Sequence, residues 1–293
     1  MARTRAIATA VLLPAALASG QELLKEIDEA NASFTWTSGM DFESGPGELH
    51  AARLQARSFL SGPLALSGDW YFAPMAQYRG TVLDVDGAAA GFPIQDETLQ
   101  YLALQGFLVH TSDRSPWMYG VWARGGIASD FQHVDGDDFL FDVAAGVGYR
   151  VNSNLLVAVG AGVFELNGDE KFLAGPSFSW RMTDNFKLSL YGHTFDASWD
   201  YGPDWVFSLR SEYGGGTWNL DGPAGISQRL DFRSYLVGLH AGRRIQKGLW
   251  FDLGAGVSLF NKLDLGTPDG LTTFKDHPGD GWFVYAGLRL ADW

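Results

Sequence analysis

Apolar and polar positions alternate most cleanly between Phe139 and Phe164. Phe139, Phe141, Val143, Ala145, Val147, Tyr149 and Val151 take every second position, and Leu140, Asp142, Ala144, Gly146, Gly148 and Arg150 fill the gaps. After Asn152-Ser153-Asn154 the pattern resumes, with Leu155, Val157, Val159, Ala161 and Val163 set against Ala158, Gly160 and Gly162. A period of two sends successive side chains to opposite faces, so the stretch predicts two strands joined by a tight turn. Its second face holds too little Lys, Glu or Thr for a sheet that meets water. Large aliphatics on one side, with small or charged residues on the other, fit the wall of a membrane barrel whose oily face meets lipid.

The same reading predicts strands around Phe34 and Trp36, over 49–60, from Trp70 through Arg79, and over 99–110 and 117–127. Further strands are predicted over 172–180, 186–191, 194–200, 205–213, 234–244, 249–260 and 282–290. With the central hairpin these make fourteen, with twelve as the alternative. The pair at 186–191 and 194–200 is shorter than the ~9–11 residues a spanning strand needs. The two faces of 99–110 are similarly apolar, which leaves its orientation open. Tight connections at 152–154, 182–185, 201–204 and 245–248 broadly alternate with longer ones at 84–97, 131–137, 214–226 and 264–280, the pattern of short periplasmic turns and longer outer loops. Gly214-Gly215-Gly216 reads as the flexible start of a loop.

At the N-terminus, Arg3 and Arg5 precede an apolar run and the Ala16-Leu17-Ala18 cleavage pattern, so residues 1–18 read as a secretory signal peptide. Residues 19–31 read as a short periplasmic lead-in, helical over Gln21–Asn31, and 32–293 as the barrel. No later run of eighteen apolar residues offers a transmembrane helix. The fold class expected is therefore all-β: a closed antiparallel transmembrane barrel of about 14 strands in the outer membrane.

Composition changes this picture only by exclusion. Thirty-seven glycines and 14% aromatics suit small inner faces and aromatic girdles. Cysteine is absent, which removes disulfides and thiolate metal sites. The net charge of −13 argues against a nucleic-acid partner. Without the two leader arginines, 19 basic residues face 34 acidic ones.

Charge placement supplies the candidate site. The alternation turns Arg53, Arg57, Arg79, Arg124, Asp138, Asp142, Arg150, Arg181, Asp196, Asp200, Arg210, Glu212, Asp252 and Arg289 toward the lumen. An arginine facing mid-bilayer lipid would cost ~2–4 kcal/mol, which inward placement avoids. These residues read either as salt-bridge ladders filling a narrow barrel or as the lining of a water-filled pore. Trp36, Trp70, Trp117, Trp180, Trp199, Trp205 and Trp282 fall near strand ends, as an interfacial girdle requires.

The last strand, Trp282–Leu290, followed by Trp293, resembles the C-terminal assembly signal of outer-membrane barrels, although Trp293 falls out of phase with the oily face. The runs Gly136–Asp142, Tyr149–Val163, Gly175–Gly192 and Ser211–Leu220 resemble a bacterial family of uncharacterised outer-membrane β-barrel proteins, a domain of unknown function. The resemblance runs from about Leu99 to the C-terminus. It implies a location and an architecture, and it carries no catalytic residues.

An enzyme would need a nucleophile beside its base. His110-Thr111-Ser112 has the H-x-S spacing of outer-membrane lipid hydrolases, but Asp113-Arg114 follows and the segment lies in a turn. His193 and His240 read as turn and lumen polar groups. Asp84-x-Asp86-Gly87 and Asp135–Asp138 lack the register of a calcium loop. The function expected is porin-like passage of small hydrophilic solutes with a modest cation preference, set by acidic loops. A non-conducting structural or adhesion barrel is the alternative, and a lipid-modifying hydrolase a second. No cofactor is expected. The partners expected are outer-membrane lipid and lipopolysaccharide, the barrel-assembly machinery during biogenesis, and the solutes themselves.

Overall fold

The structure is a computed structural model and describes residues 29–86, 97–132, 134–166, 169–221, 227–267 and 271–291. The expected signal peptide, most of the expected lead-in and Trp293 lie outside the described residues. Seventeen strands are described. In chain order β1 is Ala30–Asp41, β2 Glu48–Phe59, β3 Leu64–Ala65, β4 Trp70–Asp86, β5 Glu97–His110 and β6 Trp117–Ser129. β7 is Phe139–Asn152, β8 Leu155–Leu166, β9 Asp169–Thr183, β10 Phe186–Tyr191, β11 Thr194–Tyr201 and β12 Trp205–Tyr213. β13 is Gly216–Asp221, β14 Ser227–Gln246, β15 Leu249–Gly266, β16 Thr272–Asp276 and β17 Gly281–Leu290.

Fourteen of them form a closed ring of antiparallel neighbours. The ring runs β1, β2, β4 to β12, β14, β15 and β17, and closes where β17 pairs with β1 from Ala30↔Leu290 to Ser38↔Trp282. The chain therefore enters the ring at Ala30, two residues before the sequence reading placed it.

The outward face is oily to a degree water would not tolerate. Leu104 is 62% exposed, Phe141 65%, Val159 53% and Leu239 70%, all on neighbouring or facing parts of one continuous belt. Monomeric soluble proteins rarely expose contiguous apolar patches beyond a few hundred Å². In the outer membrane lipid covers the belt, and closing the ring pairs the strands on both sides along most of the wall. The orientation of β5 is now settled: Leu99, Tyr101 and Ala103 point inward and are buried, while Leu102 and Leu104 point to lipid.

The barrel is not a hollow cylinder. Two expected outer loops are partly strand. The upper half of β14 continues to Ser227 and pairs with β13 from Gly216↔Phe232 to Asp221↔Ser227. That hairpin bends into the lumen until Asn219 lies beside Ser129 at the top of β6. The glycine run before it is a packed bend and not a flexible loop start. A methyl group on Gly215 would strike the Phe232 carbonyl, and one on Gly216 the Trp218 ring. β16 likewise pairs with the top of β15.

The inward hairpin buries Trp218, Leu220, Leu230 and Phe232 against Met40, Leu49, Leu83, Leu99 and Tyr101 from the facing wall. The upper lumen on the β1–β6 side is thus filled by side chains. The opposite stretch of wall is low: β10 has 6 residues and β11 has 8, against 15 in β9.

Candidate functional site

Below the filled mouth the inner faces turn charged, because alternation carries arginines and acids into the space that apolar residues occupy higher up. Arg53 on β2 crosses the lumen to Glu212 on β12, 2.9 Å from Nη2 to Oε1, and also donates to the Tyr213 carbonyl at 3.4 Å. Arg79 on β4 donates to the Gly215 carbonyl at 3.0 Å, its guanidinium lying 5.1 Å from the Tyr101 ring centre and 5.7 Å from that of Trp218. These contacts pin the two walls together and make a waist. A guanidinium over an aromatic face and hydrogen-bonded at its edge retains stabilisation that the lost water would otherwise supply.

Other predicted lumen residues form ladders between neighbouring strands. Arg124 Nε lies 2.6 Å from Asp142 Oδ2, with Asp142 only 1% exposed. Arg210 Nε is 3.2 Å from Asp196 Oδ2, and Arg289 Nε is 2.8 Å from Asp252 Oδ2. Arg57 sits opposite Asn31 in the β1–β2 ladder. Arg150 reaches the Met118 sulfur at 3.9 Å. Arg181 and Asp200 are exposed at the short-turn end.

Asp138 does not lie on a strand. It closes a one-turn 3-10 helix, Gly136–Asp138, where Asp135 and Asp138 cap one another's backbone N–H groups. Burial pushes its carboxyl above the usual range, and the N–H donated by Asp135 only partly offsets this.

Five of the seven girdle tryptophans, Trp70, Trp117, Trp180, Trp199 and Trp205, sit at the short-turn end of their strands. Trp36 and Trp282 sit at the other end, where Ser38 pairs with Trp282. The sequence reading passed over three tryptophans that face inward, Trp122, Trp218 and Trp250, all nearly fully buried. Their alternation phase was the available signal for Trp122 and Trp250; Trp218 lay in a supposed loop. Tyr101 and His240 join the inner surface, His240 with its ring 5.0 Å from that of Tyr285.

The remaining candidates go elsewhere. The His110 ring lies 5.1 Å from Trp70 and 6.1 Å from Tyr119, while Ser112 Oγ accepts the Arg114 N–H at 3.3 Å. Asp86 pairs with His50 at 3.2 Å. Among the described residues no group of three His, Asp or Glu side chains is placed to hold a metal ion.

Comparison with known proteins adds a family. The family described as Domain of unknown function (DUF6268) matches residues 110–291. The chain belongs to that family. No curated protein matches it. Among solved structures it is similar to the COG4313 outer membrane channel from Pseudomonas putida F1, at 10% identity and a TM-score of 0.47, covering 89% of this chain and 94% of that one. It is also similar to a Pseudomonas aeruginosa FadL homologue, at 10% identity and a TM-score of 0.46, over 98% and 96% of the two chains. The P. putida toluene transporter TodX aligns at 10% identity and a TM-score of 0.37, over 94% and 92%.

Proposed function

We propose that this outer-membrane barrel passes small hydrophilic solutes through the part of its lumen walled by β9 to β12. The observation that carries this reading is the contrast between the two faces of that wall. Its outward side is apolar, whereas its inward side presents Ser177, Ser179, Ser189, Ser198 and Ser208 together with the Arg210–Asp196 pair. Serines and paired charges make a surface that water wets, which a barrel serving only as a scaffold does not need on the inside.

The waist arginines are already engaged, Arg53 by Glu212, Arg124 by Asp142 and Arg79 by a carbonyl and two rings. The modest cation preference is therefore assigned to the acidic outer rim, where Glu43, Glu48, Asp86, Asp135 and Asp137 concentrate cations before entry. Lipid and lipopolysaccharide as surroundings, and the assembly machinery as the insertion partner, belong to the same proposal, as does the absence of enzymatic chemistry.

Single-channel recording in planar bilayers tests it. Conductance with a reversal potential favouring potassium over chloride is the expected result. The filled upper lumen favours the second reading, a non-conducting structural barrel, and failure to conduct across preparations that are folded by heat-modifiable gel migration would establish that reading instead.

A further inference from the structure

Among the described residues, the short pair β10 and β11 leaves part of a neighbouring strand without a partner strand. β9 pairs with β8 from Leu155↔Trp180 up to Leu166↔Asp169. On its other side it pairs with β10 only between Phe178 and Thr183. Above that point no strand among the described residues lies against the edge formed by residues 169–177.

This bare edge stands at membrane height. Trp180 marks the lower girdle, and Phe172, eight residues higher, points outward with 71% of its surface exposed. At roughly 3.3 Å per residue and a tilt near 40°, that is a rise of about 20 Å, inside an apolar band about 25 Å tall. Open sheet edges do not occur against hydrocarbon, since each unsatisfied backbone group there costs several kcal/mol; they occur only where protein or water covers them.

A docked strand is a poor fit. The edge carries Lys171, Gly175 and Pro176, the residue types with which natural sheets blunt an edge, and proline cannot donate to an added strand. The opposite jamb does not close the gap either. At Tyr213 the wall turns away, through Gly214 and Gly215, toward Arg79 and β6 on the far side of the lumen. The turn from Tyr191 to Thr194 forms a sill between the two jambs, its His193 ring 5.6 Å from that of Tyr213.

We propose that the wall carries a water-filled slot between upper β9 and the top of β12, with the β10–β11 turn as its sill, through which small hydrophilic solutes enter the lumen beside the sealed mouth. As a route for solutes this rests on the passage proposed above. As a hydrated gap in the wall it is measured independently of any conductance.

The natural sequence contains no cysteine, so single thiols report cleanly. Gly175→Cys and, as a second variant, Leu173→Cys place a thiol on the inward side of the edge, and Phe172→Cys places one on lipid at the same height. Each variant is reconstituted in lipid nanodiscs, and its folding is checked by heat-modifiable migration. The probe is a membrane-impermeant methanethiosulfonate sulfonate. Because thiolate ionisation and access to water both govern the rate, the two slot thiols are expected to react on the order of tenfold or more faster than that of Phe172→Cys. Lengthening β10 and β11 by two residues each, in a Gly175→Cys background, should raise the sill and protect the thiol. Equal rates at the slot and lipid positions overturn the proposal. So does a folded, lengthened variant that reacts as fast as its parent. Slot labelling without conductance would leave the slot standing and remove the passage.

Discussion

The wall from β1 to β6 and the wall from β9 to β12 solve the problem of a wide barrel in opposite ways. The first is tall: β4 has 17 residues and β5 has 14, and their upper inner faces meet an inward hairpin that fills the space with Trp218, Leu230 and Phe232. The second is low, with polar inner faces and a bend at its top that leads the chain across the lumen. What separates them is the identity of the inward residues. Leu83, Leu99 and Tyr101 give the hairpin an apolar seat, so folding it inward removes oil from water. The serines and aspartates of β9 to β12 offer no such seat. One barrel therefore holds a packed apolar core and a polar inner wall side by side, divided by the cross-lumen contacts of Arg53 and Arg79.

The strongest way to break the contrast is to empty the packed side. Trp218→Ala should destabilise the barrel by about 3–5 kcal/mol, the usual cost of removing a buried tryptophan. It should also raise conductance, because the mouth loses its filler. Denaturant unfolding in micelles gives the first quantity and planar-bilayer recording the second; an unchanged midpoint would mean that the hairpin does not hold the mouth.

The divide itself comes next. Arg53→Leu alone leaves the Glu212 carboxylate without its ion-pair partner and should cost about 3–5 kcal/mol. Pairing it with Glu212→Leu should recover most of that loss, since a buried ion pair replaced by apolar residues is often near neutral. Lack of recovery in the double-mutant cycle would show that each residue acts through other contacts.

A smaller effect sharpens the inside–outside distinction on the low wall. Leu209→Arg sets a charge on the lipid face of β12 and should cost about 2–4 kcal/mol at mid-bilayer depth. Its inward neighbour on the same strand, Ser208, should accept arginine at less cost, because that side faces the lumen.

The smallest effect lies outside the membrane. Burial raises the Asp138 carboxyl above its unfolded value, so its ionisation opposes folding. That contribution favours the folded state below the unfolded pKa and is lost as pH rises through the folded one. Asp138→Asn, which cannot ionise, should flatten this part of the stability profile in the acidic range measured by thermal unfolding.

Much of the fold could be read from residue alternation. The strands around the 152–154 turn, the tight connections and the ring of fourteen all follow from period two and from turn residues, which are local properties of the chain. Strand β5 resisted, because its inner face is as oily as its outer one, and the reason is visible only once the hairpin that covers Leu99 and Tyr101 is in place. For the site, alternation could say which face an arginine occupies but not what it meets. Arg124 and Asp142 sit on adjacent strands in direct register. Arg53 and Glu212, by contrast, lie 159 positions apart in the chain, and no local pattern encodes that meeting.

By itself, then, the sequence determined that this chain forms an all-β barrel wall, which side of most strands meets lipid, and where its short turns fall. Side-chain periodicity and turn chemistry act over a few residues and need no partner. The tertiary structure alone decided that the mouth is filled, that a supposed loop is a buried hairpin carrying Trp218, and that, among the described residues, two short strands leave a neighbouring edge bare. Those features depend on how far apart facing walls stand and on which strands reach the same height, distances that exist only after the ring has closed.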